Sequence, residues 1–375
     1  GLLLPALPTI SGDLSISPTR AQWYVSIYLL GFAGSQLVYG PLSDAWGRRP
    51  VLLLGLLVTL MGALLCLWGQ QSAAVILIGR LLQGIGAGST SVLGRAMIRD
   101  QFEGKQLSVA ISYVGIAAAF TPMIAPFVGG YLSHHYGWQL LFSAMAGYIA
   151  LIWLIMFVCF AETRQGGRSS IGMTQILEGY RTLLKDRYFL GYAGLNCLFF
   201  CLFMLLVSVM PYLLQQRIGM DASDYGRWSL LPALCIMLGS FLSNLLRHRL
   251  NEEQRLRLSF GLLFSAAVIY ALAPMSLGWL ITAHCVFAAA FGIGFMMSNS
   301  CLLTPYKGNS GAVSALAGCL QMLLASVGTV VLIKVGVTTP LKIGAVMLVA
   351  MVGCLLLHKL ATSLAAEPPL ILTER

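Results

Sequence analysis

Apolar residues fall in long runs along this chain, separated by short polar breaks. The first run is a fragment ending near Pro8. Full runs follow at about 21–40, 51–69, 73–97, 107–131 and 139–160. After a polar stretch come 188–214, 225–246, 257–274, 278–299, 310–335 and 341–361. A helix that crosses a bilayer needs roughly 20 mostly apolar residues. The pattern therefore predicts eleven helical spans plus the fragment, twelve in all. A β-barrel is excluded, because its strands are about ten residues of alternating polarity. Gly1 already stands inside an apolar stretch, so a tail and much of the first helix are expected to precede it.

Composition agrees with a membrane-embedded chain. Of 375 residues, 58% are hydrophobic and only 10% charged, against about 25% charged in soluble domains. That excludes an ordinary soluble enzyme, a disordered protein and a nucleic-acid binder. The net charge of +10 is loop charge, and its distribution orients the chain. With a cytoplasmic N-terminus, one set of loops holds 17 Lys and Arg residues. The opposite set holds 5: Arg20, Arg217, Arg227, Lys334 and Lys342. Both termini are thus expected in the cytoplasm, and Arg80 is left inside a span. Nine cysteines occupy apolar segments without a CxxC pair; they read as small hydrophobes, with no disulfide framework and no metal site.

The longest polar stretch, 161–187, contains Gly166, Gly167, Ser169 and Ser170 and then a basic segment. It predicts a cytoplasmic linker between an N-terminal six-helix half (1–160) and a C-terminal one (188–361), with a cytoplasmic tail at 362–375. A repeat of that kind puts a transport site near mid-membrane, at the interface of the halves. His134 and His135 are read as loop residues, and Trp23, Trp68, Trp138, Trp228 and Trp279 as interface anchors.

Between spans two and three stands Gly40-Pro41-Leu42-Ser43-Asp44-Ala45-Trp46-Gly47-Arg48-Arg49-Pro50. It resembles the signature loop of the major facilitator superfamily, Gly-x-Leu-x-Asp-x-x-Gly-Arg-Arg. Glycine permits a tight turn and close helix approach. Asp44 is expected to cap a neighbouring helix N-terminus or to pair there, and Asp100, ending span four, is the natural partner of Arg48. Span four carries Arg80-Leu81-Leu82-Gln83-Gly84, which resembles the Arg-x-x-Gln-Gly motif of proton-coupled drug exporters in that superfamily. A buried arginine is costly unless it faces water or a partner, which makes Arg80 a functional candidate. Span five reads Pro122-Met123-Ile124-Ala125-Pro126-Phe127-Val128-Gly129-Gly130. It is similar to the exporter hallmark Gly-Pro-x-x-Gly-Gly, with Ala125 in place of the usual glycine. Together with Leu4-Pro5-Ala6-Leu7-Pro8 and Glu162-Thr163-Arg164, these motifs resemble the bicyclomycin-resistance (Bcr/CflA) branch of the twelve-helix drug:proton antiporters. Many members of that branch carry an aspartate at the position of Gly1.

The resemblance implies an all-α, polytopic twelve-helix major facilitator fold of two six-helix halves in the bacterial cytoplasmic membrane. It further implies a monomeric antiporter with no cofactor, whose partners are a small molecule, protons and the lipid bilayer. Cavity liners on that reading are Tyr24, Tyr28 and Gln36 (span two), Arg80 and Gln83 (span four) and Tyr113 (span five). The second half adds Asn196, Phe200, His284 and Gln321. The gating set is Gly40, Asp44, Gly47, Arg48, Arg49, Asp100, Pro122, Pro126, Gly129 and Gly130. None of the thirteen acids sits in the middle of a span. Without a buried anion to offset a cation's desolvation, the cargo is expected to be neutral, zwitterionic or anionic; a drug, a peptide or a siderophore fits. His284 is the only histidine well inside a span and the candidate for proton coupling. An importer or uniporter of the same fold is the alternative; a channel, receptor or enzyme fits less well, since no HExxH or paired catalytic carboxylates appear.

Overall fold

The structure, a computed structural model, describes residues 1–102, 104–163, 173–272, 274–306 and 310–362. Arg164, Gly166, Gly167, Arg168, Ser169, Ser170, Lys307 and the tail from 363 onward lie outside the described residues, as do the side chains of Arg99, Lys105 and Pro122.

Hydrocarbon offers a backbone N–H or C=O no partner, so a spanning segment must satisfy its own groups. All regular secondary structure among the described residues is helical, with no strand among them. The chain divides into two units, Gly1–Gln175 and Ile176–Arg375. In the first, a 3-10 turn at Leu4–Ala6 leads into α1 (Leu7–Asp13). Then follow α2 (Pro18–Trp46), α3 (Arg48–Trp68), α4 (Ala73–Gln101), α5 (Gly104–Tyr136) and α6 (Gln139–Cys159). The second begins around α7 (Met173–Leu183) and continues with α8 (Arg187–Tyr212), α9 (Ala222–Trp228), α10 (Leu230–Leu245) and α11 (Glu252–Leu272). It ends with α12 (Leu277–Leu303), α13 (Ser310–Lys334) and α14 (Pro340–Thr362). Among the described residues ten helical segments are long and apolar enough to cross a membrane, α9 and α10 forming one of them. The fragment α1 and the 33-residue α5 complete the twelve-helix pattern.

Helix starts are set by short polar side chains that take up free N–H groups. Ser17 accepts from the Arg20 N–H at 3.3 Å, with Pro18 in the first helical position of α2. Asp186 caps α8 through the Tyr188 N–H at 2.8 Å, and Asp221 caps α9 through the Asp224 N–H at 2.7 Å. Before α11, Asn251 and Gln254 exchange side-chain and backbone bonds at 2.8 and 3.0 Å, a reciprocal capping box.

The structure corrects two sequence expectations, on His134 and His135 and on Trp138, and adds a helix within 161–187. His134 and His135 belong to the last turn of α5, not to a loop. The 161–187 stretch contains the helix α7, which turns the half-buried Tyr180 and the buried Leu183 into the core of the second unit and leaves Leu177 and Arg181 exposed. Trp138 is 2% exposed and donates its indole N–H to Asp13 at 2.7 Å. It fastens the end of α1 to the start of α6 and does not anchor an interface. Trp23, Trp68, Trp228 and Trp279 are all exposed.

Helices in lipid gain little from hydrophobicity and pack through small residues that let backbones meet. In the first unit α4 lies against both α2 and α3. A Cβ added at Gly84 would sit 2.1 Å from the Tyr28 carbonyl oxygen on α2. One added at Gly62 of α3 would sit 2.5 Å from the Gly79 carbonyl oxygen on α4. The second unit repeats the scheme. The pairings α2–α4, α3–α4 and α3–α6 recur there as α10–α12, α11–α12 and α11–α14, with Gly292 against the Ile236 carbonyl oxygen. Gly84→Leu should therefore force α2 and α4 apart at a cost of about 1–3 kcal/mol or more. A lower melting temperature of the purified protein checks this; an unchanged one would refute the close approach.

Candidate functional site

Two polar constellations stand out in the first unit. One is the signature loop. Gly47 ends α2 with φ of +99°, a conformation costly for any residue with a Cβ. A Cβ there would also lie 2.6 Å from a Glu162 carboxylate oxygen. The turn sets Arg48 at the start of α3, where one guanidinium gathers three side chains. It donates to Ser43 Oγ at 2.6 Å, to Asp44 Oδ1 at 2.6 Å and to Asp100 Oδ2 at 2.9 Å. Arg48 thus cross-links the ends of α2 and α4, and charge-assisted bonds of this kind are the strong ones.

The cap of α3 is not Asp44, whose carboxylate is taken by the Arg48 side chain. Glu162, just beyond α6, accepts from the backbone N–H of Arg48 at 2.9 Å and of Arg49 at 3.1 Å. The Arg49 guanidinium donates to the Phe157 carbonyl at 2.7 Å. Gly40 lies at ordinary distance from Val92 and accepts from Ser43 Oγ through its carbonyl. Sequence reasoning missed Glu162 as a cap because it stands 114 positions from its partner.

The second constellation surrounds Arg80, on the stretch of α4 that faces α2. Its Nε donates to the Tyr24 carbonyl at 3.0 Å and a terminal nitrogen to Gln83 Oε1 at 2.6 Å. The guanidinium carbon stands 4.4 Å from the centroid of the Tyr28 ring, a cation–π contact. Its partners are thus a carbonyl, an amide and a ring face; among the described residues no carboxylate pairs with it. Gln83 is 2% exposed, and with its oxygen committed to Arg80 its amide nitrogen has no partner among the described residues. The Tyr24 hydroxyl and the Gln36 amide nitrogen are buried and unpartnered in the same sense.

The other sequence candidates are not drawn to Arg80. Gln36 is two helical turns beyond Tyr28 on α2. Tyr113, on α5, is 69% exposed. In α5, Gly129 meets the Leu2 carbonyl oxygen, which a Cβ would approach to 2.1 Å, and Gly130 is buried. Ala125 and Pro126 lie beside Gly1. The two departures from the family pattern, Gly1 and Ala125, are therefore neighbours: a Cβ at Gly1 would come within 2.6 Å of the Ala125 Cβ.

In the second unit Asn196 is buried in α8, while His284 in α12 and Gln321 in α13 are half-buried. No hydrogen bond joins any two of them. Phe200 belongs to an aromatic cluster with Phe203, Phe291 and Phe295, centroids 4.7–6.0 Å apart. The four-residue spacing of Phe287, Phe291 and Phe295 was the signal in the sequence for one face of this cluster. Near the start of α8, Asp186 accepts from the Tyr306 hydroxyl, and Tyr188 donates to the Cys301 carbonyl at 2.9 Å. Burial and the neighbouring Asp186 carboxylate push the Tyr306 phenol up. The cysteines are all free, and no metal-holding cluster of His, Cys, Asp or Glu occurs among the described residues.

The sequence pattern of the Major Facilitator Superfamily matches residues 1–329. The chain belongs to the major facilitator superfamily. It is a multi-pass membrane transporter, not an enzyme. It is 30% identical over 325 residues to the multidrug resistance protein MdtL of Shewanella oneidensis, covering 86% of this chain and 81% of that one. It is 29% identical over 327 residues to the MdtL protein of Klebsiella pneumoniae, with the same coverage. Among solved structures, a D-xylose-proton symporter superposes with a TM-score of 0.70 at 16% identity, covering 98% of this chain and 97% of the other. A bacterial homologue of the human lysosomal transporter Spinster gives 0.68 at 16%, covering 96% and 91%. These structures share the fold.

Glu162→Ala should strip two N–H groups of their cap and cost about 1–2 kcal/mol. Thermal unfolding measured beside Glu162→Gln, which keeps an acceptor, checks it; equal stability of wild type and Glu162→Ala would remove Glu162 as the cap.

Proposed function

We propose that the chain exports a small amphiphile from the bacterial cytoplasm by alternating access, in exchange for inward protons. On this reading it lies in the inner membrane as a monomer with both termini cytoplasmic, and it belongs to the bicyclomycin-resistance branch of the drug:proton antiporters. Its relatives bear the name multidrug resistance protein, which supports an efflux role and a drug-like cargo.

The observation that carries the cargo reading is Arg80. A cation within the apolar span costs several kcal/mol unless it is compensated. Here the compensation is dipolar: a carbonyl, an amide oxygen and a tyrosine face. Such a group retains its full positive charge for a ligand, and the adjacent Gln83 amide nitrogen still lacks an acceptor. A neutral, zwitterionic or anionic cargo fits that surface better than a lipophilic cation does. Tyr28, Gln36, Tyr113, Asn196, Phe200, His284 and Gln321 are the further proposed cargo contacts, and His284 is the proposed proton carrier. The proposed inner gate is the Arg48 knot with Asp44 and Asp100.

The test is purified protein in proteoliposomes with a pH-sensitive dye inside, offered cargo of each charge class with and without a pH gradient. Cargo-dependent proton movement, triggered by neutral or acidic compounds, is expected. Cargo flux without proton movement would end the antiport reading, and a response confined to cations would end the charge reading. In the same assay Arg80→Ala should weaken cargo binding by about tenfold or more, one lost charge-assisted contact being worth about 1.5–3 kcal/mol. An unchanged dissociation constant would leave Arg80 a structural role only. Asp44→Asn should largely abolish efflux at normal expression, because Arg48 then loses its carboxylate on α2 and keeps only Ser43 there; normal efflux would refute the gate.

A further inference from the structure

The second unit holds a histidine that the motif reading passed over. His358 lies one turn before the end of α14. Both imidazole nitrogens are buried, and neither has a hydrogen-bond partner among the described residues. The ring stands edge-on to Phe260 of α11, centroids 6.1 Å apart. A neutral imidazole carries one donor and one acceptor, so leaving both unpaired in an apolar niche is costly. Such a group is a candidate for a second state in which it is paired.

The charges that act on His358 define that state. From α11 they are Glu253 and Arg257, which form an ion pair with each other one turn apart at the start of that helix. α8, the other helix packed against α14, meets Leu357 and Ala361 through Gly191 and Gly194, and among the described residues none of its charges, Arg187 at its start included, acts on His358. On α14 itself the neighbouring Lys359 is exposed. Among the described residues Glu253 is therefore the carboxylate whose charge reaches the ring.

We propose that His358 is a proton-binding site that ties the end of α14 to the start of α11. A proton taken from water on that side turns the ring into a two-donor cation, which recruits the Glu253 carboxylate in competition with Arg257. Loss of the proton to the same water returns the ring to its niche against Phe260. The exposed Arg257 gives up its partner cheaply, because a solvent-facing ion pair is worth little. The site is separate from the Arg80 constellation and does not require the antiport reading.

The test uses the full chain in lipid nanodiscs with ¹³C-labelled histidine. The His358 resonance, one of five, is assigned by its loss in His358→Gln, or in His358→Phe if the glutamine variant fails to fold. It should titrate within about pH 5–8, the histidine range, and the midpoint should fall when Glu253 is changed to Gln. Backbone hydrogen exchange at the end of α14, corrected for intrinsic rate, should slow about threefold on acidification in wild type and not in Glu253→Gln; that factor corresponds to less than 1 kcal/mol. A His358 resonance that does not titrate across that range, a midpoint indifferent to Glu253→Gln, or equal exchange in both proteins would overturn the proposal. None of these readouts depends on transport, so failure of the antiport reading would leave them intact.

Discussion

Backbone-to-backbone approach along α4 governs the first unit. No hydrophobic drive pulls two helices together in lipid, so proximity has to come from the absence of side chains. Gly84 against α2 and Gly79 against α3 supply it. One consequence is chemical. With α4 this close to α2, the Arg80 side chain reaches a backbone carbonyl of α2 and lies over Tyr28. At the other end of the same helix, Asp100 comes within reach of Arg48. A single packed seam thus carries both polar constellations, one at each end.

The two constellations handle charge in opposite ways. Arg48 is matched by carboxylates from two helices, so its charge is spent within the protein. Arg80 is met by a carbonyl, an amide oxygen and a ring face, with no carboxylate paired to it among the described residues. The first arrangement suits a group that must hold helices in place; the second suits a group that must answer to something outside the chain. In the second unit the helix pairings recur, yet the chemistry differs: the corresponding core is a cluster of phenylalanines, and the polar bonds gather near the start of α8 around Asp186, Tyr188 and Tyr306.

Much of this was legible in the sequence. The spans were visible because a bilayer imposes a length and a polarity that few other contexts demand, and observed helix limits such as Arg48–Trp68 and Ala73–Gln101 lie within a few residues of the apolar runs. The Arg48–Asp100 contact was legible because the motif spacing put an arginine opposite an acid at two helix ends. What stayed hidden depends on contacts between distant positions. Glu162 reads as a loop acid until the fold brings it to α3. Trp138 reads as an interface aromatic until its indole finds Asp13. α7 was masked by its polar composition, since an amphipathic helix shows itself by period and not by mean hydropathy. His358 was overlooked because a position near a helix end suggests contact with water, whereas the structure buries both nitrogens.

The Glu162 cap also has a mechanical side. The chain leaves α6 at Cys159, and within three residues it is pinned to the first turn of α3 by a carboxylate held on two backbone N–H groups. Thr163 beyond it is buried. Fraying at the end of α6 is therefore resisted by the first turn of α3, and through the glycine seam by α4. α6 ends in a clamp on its neighbour and not in a loose helix terminus.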